Sequence, residues 1–167
     1  AIARAVSVLP KLLISDEPFS NLDFPRKIEL RERLFRYVKQ HGVSLIISTH
    51  ELQEIMPWLD QIVILQDGRL IQNDSPEETY RHPYNSYVAK LFGEVNIFSE
   101  NEAEDFQLPK FSYYPKEIKI TESGLEAEVL ESRFAGNYYW NKLRTKEKEL
   151  VVYTDESISG SINISFI

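Results

Sequence analysis

An apolar run, Leu12-Leu13-Ile14, stops on two adjacent carboxylates, Asp16 and Glu17. Buried strands rarely end on paired acids, and such a pair can hold a hard cation or move a proton. A second apolar run, "LIISTH", ends on His50, and imidazole is the side chain that titrates nearest neutral pH. If the two runs are parallel strands of one sheet, their carboxyl ends lie along one edge. That edge is where open α/β sheets bind ligands.

The pattern around these residues supplies such elements. Leu12–Ser15 reads as a buried strand. Pro25–Gln40 reads as a helix, with Pro25 at its start and Ile28, Leu30, Leu34, Phe35 and Val38 at roughly helical spacing. Gly42 stops it. Ser44–Ser48 is a second strand, Glu51–Leu59 a short helix broken at Pro57, and Gln61–Leu65 a third strand. The alternation predicts a parallel α/β sheet with crossovers. Asp67-Gly68 is a tight turn, and Arg69–Gln72 pairs back as a hairpin. Pro76–Tyr80 and Tyr84–Phe92 read as short helices. Gly93–Pro109 is acidic and lacks periodic apolar residues, and 99–110 is expected to be a linker. Beyond it the pattern is all β: Glu117–Thr121, Leu125–Phe134, Tyr138–Leu143, Glu149–Tyr153 and Ser161–Phe166, with turns at Gly124, Gly136-Asn137 and Ser159-Gly160. Five short strands at this spacing predict a small OB-type barrel over 111–167.

Composition narrows the function. The 167 residues carry 26 acidic and 19 basic side chains, a net charge of −7, which argues against a general nucleic-acid binder. A nucleotide remains compatible, since backbone N–H groups and one or two cations hold phosphates on an acidic protein. The absence of cysteine excludes disulfides and cysteine zinc sites. No apolar run reaches the roughly 20 residues of a membrane span. The chain opens inside a helical segment, "AIARAV", as if cut from something longer.

Order and spacing together resemble one family. "LLISDEP" resembles the Walker B strand of an ABC-type ATPase, "SNLD" the D-loop after it, and "IISTH" the switch-histidine loop. "AIARAVSVLPKLLISDEP" is similar to the segment running from the signature helix into Walker B. "DQIVILQDGRLIQNDSPEETYRHPYNSYVAKLFGEVNIF" resembles the end of the nucleotide-binding domain of importer ATPases that carry a C-terminal TOBE domain, and "YYPKEIKI" its entry into TOBE. The resemblance spans the whole chain, strongest up to Phe98. It departs from the family pattern at Glu51, where Asp is common, at Asn73-Asp74, where Gly is frequent, and at Tyr114, where Arg is usual.

The resemblance implies ATP and Mg²⁺ as ligands and ATP hydrolysis as the activity. Asp16 would ligate Mg²⁺, Glu17 would be the general base on water, and His50 would hydrogen-bond the γ-phosphate. Ser20, Asn21 and Asp23 would run along the interface of an ATPase homodimer that sandwiches nucleotide. Transmembrane permease subunits would be the partners, placing the protein peripherally on the cytoplasmic face of the membrane. The TOBE-like part would be regulatory or dimer-stabilising, or would bind a small ligand or oxyanion.

The phosphate cradle of this family is a G-x-x-x-x-G-K-[ST] loop, and none occurs in this sequence. The Gln loop and the signature motif are also absent, and in the family all three precede "AIARA". The expectation is therefore a C-terminal piece that is inactive alone, with strands left open at an edge and uncovered on a face. Each motif also has a plainer reading: the acid pair as a helix cap or solvated loop, Thr49 as a cap for the following helix. Glu100–Asp105 reads as a solvated connector. Tyr138-Tyr139-Trp140 reads as barrel packing or as a ligand platform, and His41 and His82 as surface residues.

Overall fold

The structure is a computed structural model that describes residues 2–20, 22–146 and 148–167, with Ile2 and Ala3 described by backbone alone. Asn21, expected beside Ser20 in the D-loop, lies outside the described residues. The chain divides into two compact units, Ala1–Arg81 and His82–Ile167, whereas sequence composition alone suggests a change of character after Phe98.

In the first unit, α1 (Ile2–Val6) leads into β1 (Leu12–Asp16), α2 (Phe24–His41) and β2 (Ser44–Ser48). Strands β1 and β2 pair in parallel, Leu12 opposite Ser44 through Asp16 opposite Ser48. The connecting α2 has a defined start and stop. Asp23 Oδ1 accepts the Arg26 N–H at 3.1 Å, Pro25 sits in the first turn, and Gly42 closes the helix with φ +63°, its N–H on the Val38 carbonyl. Alternation along β1 buries Leu13 against Leu34, Val38, Val43 and Ile55. Its neighbour Ile14 points to the opposite face and is 68% exposed, as is Ile46 of β2 at 55%. The parallel pair is thus covered on one face only.

The third strand does not extend this pair. Among the described residues β3 (Ile62–Gln66) pairs only with β4 (Arg69–Asp74), antiparallel. The Asp67-Gly68 turn, with φ +51° and +73°, brings β4 alongside β3 with minimal loop closure. The segment before β3 offers only α3 (Leu52–Ile55) and a 3-10 turn, Met56–Trp58, because Pro57 interrupts the helix. Trp58 stacks on Phe35 of α2 with ring centroids 5.6 Å apart. Helix α4 (Pro76–Arg81) ends the unit.

The second unit begins with α5 (Ser86–Leu91), capped by Asn85, followed by β5 (Asn96–Ile97), α6 (Glu100–Asp105) and β6 (Ser112–Tyr113). The stretch expected to be a linker is part of the fold. Ser99 and Glu102 form a reciprocal capping box at the start of α6, while Phe98, Ala103, Phe106 and Leu108 pack into the core. The S-x-x-E signature of that cap is visible in the sequence, beneath the run of acids. Lys148 Nζ holds Glu102 Oε1 at 2.6 Å. Asn96 staples β5 to the sheet, donating to the Val151 carbonyl at 2.8 Å and accepting the Val151 N–H at 2.7 Å.

A 3-10 turn, Pro115–Glu117, leads into β7 (Ile118–Thr121), β8 (Leu125–Phe134), β9 (Tyr139–Arg144), β10 (Glu149–Thr154) and β11 (Ser161–Phe166). These form one antiparallel sheet in the order β10-β9-β8-β11-β7. Among the described residues no strand pairing joins β10 to β7. Ile118, Ala127, Leu143, Leu150, Val152 and Ile164 make the core. Of the aromatic cluster, Tyr138 stacks on Tyr153 at 4.2 Å, and Trp140 Nε1 donates to Glu94 Oε2 at 2.8 Å. No helix of the described residues is long and apolar enough to cross a membrane.

Candidate active site

The parallel register of β1 and β2 brings the acid pair and the imidazole together. Asp16 faces Ser48 across the ladder, and the Ser48 hydroxyl donates to Asp16 Oδ1. One residue on, the Glu17 N–H still bonds the Ser48 carbonyl at 3.0 Å, but its backbone has turned to φ +43°. Left-handed backbone at a non-glycine residue costs on the order of 1 kcal/mol or more and gathers at functional sites. The turn points the carboxylate across at β2's end. Glu17 Oε1 accepts the His50 N–H at 3.1 Å and meets His50 Nδ1 at 2.6 Å. The Thr49 hydroxyl donates to Glu17 Oε2 at 3.5 Å.

His50 is held on its Nδ1 side while the ring stays 74% exposed. The hydrogen bond to Glu17, reinforced by that residue's charge, raises its pKa above the usual imidazole value. The arrangement therefore places an anchored carboxylate and an outward-facing imidazole at one sheet edge. The pair can accept a proton at Glu17 and present a donor on the exposed ring.

The other candidates lie close in sequence but have local partners. The Ser20 hydroxyl donates to the Glu17 carbonyl at 3.0 Å. Asp23 is the N-cap of α2. Thr49 Oγ1 accepts the Glu51 N–H at 3.0 Å and its hydroxyl also reaches Glu17, but the helix that follows has no side-chain cap, so Thr49 does not cap it. Asp16 is exposed at the strand end and offers the hard oxygen donors that Mg²⁺ takes one or two of from protein. Among the described residues no group of three or more His, Asp or Glu gathers to hold a metal ion. One carboxylate thus suits an ion that draws its other ligands from phosphate and water.

Sequence reading missed Lys27 and Arg31. Both are buried on α2, on the face that also carries Leu34 and Val38. Lys27 Nζ lies 2.6 Å from Glu51 Oε1, and Arg31 Nη1 lies 3.3 Å from Glu54 Oε2. Their signal was positional: charged residues occupying core positions of a helical repeat. A cleft of about 720 Å³, lined in part by Phe35, Val38, Ile47 and Trp58, contains none of Asp16, Glu17 and His50.

No family model matches the chain. Among curated proteins it is 36% identical over 128 residues to the spermidine/putrescine import ATP-binding protein PotA of Borrelia garinii subsp. bavariensis, covering 77% of this chain and 36% of that protein. It is 30% identical over 158 residues to PotA of Vibrio cholerae, covering 95% and 38%. The chain belongs to the ATP-binding proteins of ABC importers. As such a protein it spans a little over a third of the length of the curated relatives it matches. The solved structure of cbiO1 from Clostridium perfringens, part of the ABC transporter complex cbiONQ, is 29% identical and covers 54% of this chain and 36% of that one. The TM-score of that match is 0.45.

Proposed function

We propose that this chain supplies the second half of the ATP site of an importer's ATP-binding subunit. The observation that carries the reading is Glu17 turned toward His50, 2.6 Å away, at the shared carboxyl edge of two parallel strands. In the proposal Glu17 accepts the proton of the attacking water and His50 donates from its exposed ring to the γ-phosphate. Asp16 would ligate Mg²⁺, which offsets phosphate charge when bound. Ser20 and Asp23 lie on the loop that would meet a second ATPase subunit. The names of the relatives support a polyamine as the imported solute, and an importer's ATP-binding subunit would have permease subunits as partners and the cytoplasmic face of the membrane as its location.

The second unit is proposed as a TOBE-like regulatory or dimer-stabilising domain. A cleft of about 300 Å³ lined by Lys116, Lys119, Asn137, Tyr138 and Tyr153 supports a small-ligand role for it. The 167-residue chain by itself is proposed to be inactive, because no phosphate-cradling loop occurs in its sequence. The test is a chimera in which this chain replaces the matching region of Vibrio cholerae PotA. Phosphate release is expected from the chimera and not from the chain alone, with Glu17→Gln lowering the chimera's rate about 10²–10⁴-fold. A rate untouched by Glu17→Gln removes Glu17 from the chemistry.

A further inference from the structure

We propose that Lys27 is the positioning residue of this site: through Glu51 it holds the loop that presents His50 to Glu17. The inference rests on reading Glu17 and His50 as the working pair.

The loop needs an outside support. It runs from β2 into α3, which has four residues and no side-chain cap at its start. A helix of that length has no stability of its own, since the nucleation cost is never recovered. Helix α2 has 18 residues, capped at both ends. Lys27 stands just inside its first turns, and its side chain is only 10% exposed. A buried ammonium requires a partner, and this one has two: Glu51 Oε1 at 2.6 Å and Glu54 Oε1 at 3.5 Å. Arg31, one turn further along α2, takes Glu54 Oε2 at 3.3 Å and lies 4.9 Å from the Trp58 ring centre. Two cations on the rigid helix thus face two carboxylates on the unsupported segment.

The contacts form a closed circuit. Glu51, adjacent to His50, is held by Lys27 on its side chain and by Thr49 Oγ1 on its N–H. Thr49 and His50 both bond Glu17. From Glu17 the chain runs through Ser20 to Asp23, the cap of α2, and so returns to Lys27.

The direction of the His50 pKa separates positioning from mere proximity. Glu17 and Glu51 raise it, and the Lys27 charge lowers it. If Lys27 were only a nearby charge, Lys27→Gln would raise the His50 value further. If Lys27 positions the loop, the variant frees His50 from Glu17 and the value falls toward the ordinary 6.5. The experiment is an imidazole NMR titration of the 167-residue chain, together with hydrogen exchange of the His50 amide. In Lys27→Gln the expected result is a downward shift and lost amide protection, with both restored by Lys27→Arg. Glu54→Gln, which leaves the Lys27–Glu51 contact in place, is expected to keep the His50 amide protected. An unchanged or raised pKa in Lys27→Gln, with the amide still protected, overturns the proposal. Should Lys27→Gln not fold, Glu51→Gln decides by the amide alone: lost protection supports positioning and retained protection overturns it. Neither readout needs nucleotide, so a chimera that fails to hydrolyse ATP leaves this result standing, and the reverse.

Discussion

Glu17 lies close enough to His50 to set the chemistry of the imidazole. The imidazole's pKa stands above its ordinary 6.5, first because of the hydrogen bond it donates to Glu17 and then because of that residue's charge. A group whose folded pKa is raised contributes stability below its unfolded value and loses it as pH climbs through the folded one. The contact is therefore complete below pH 6.5 and weakens as pH rises above it. Titration by NMR should place His50 above 6.5, and in Glu17→Gln the value should drop back. The difference in thermal midpoint between the two proteins should shrink as pH rises through the raised value; a constant difference would contradict the assignment. This pair was legible in sequence because strand-end logic needs only order and type. Lys27 was not, because a lysine in a helix reads as solvated until the fold shows which face is inward.

The same contrast holds for elements. Helix α2 and strands β8 and β11 lie where periodicity and turn residues put them, since each carries its own boundary signals. Helix α6 was hidden because four of its six residues are acidic and its apolar contacts come mainly from flanking Phe98, Phe106 and Leu108. The Asp67-Gly68 turn announced the β3–β4 hairpin, but that β3 does not extend the β1–β2 pair was hidden, because an apolar strand carries no mark of which sheet it joins. Between β7 and β8, the Gly124 backbone has φ +157°, and a Cβ there would lie 2.4 Å from the Ile164 carbonyl oxygen of β11. That oxygen is backbone and cannot turn aside. Gly124→Ala should destabilise the second unit by about 1–3 kcal/mol, as overpacked sites do, measured as a lower denaturant midpoint. A neutral substitution would mean that the turn relaxes freely.

For the whole molecule, the first unit is finished on one side only. Leu12, Ile14 and Ile46 on the bare face of the parallel pair, and Val63, Leu65 and Leu70 on the hairpin, are all exposed. Unpartnered apolar surface of this kind promotes association and binds hydrophobic dyes. The native chain should increase the fluorescence of such a dye, and Ile14→Thr with Ile46→Thr should lower it without moving the His50 resonance. Equal dye binding in the double variant would show that the surface is covered in solution.

The chain has only two tryptophans, and each compact unit holds one. Trp58 stacks on Phe35 and lies near the Arg31 guanidinium, whereas Trp140 gives its indole hydrogen to Glu94. Each indole has an arginine near its ring, Arg31 for Trp58 and Arg133 for Trp140, and each takes these partners from its own unit. The molecule therefore carries a separate optical reporter for the melting of each half.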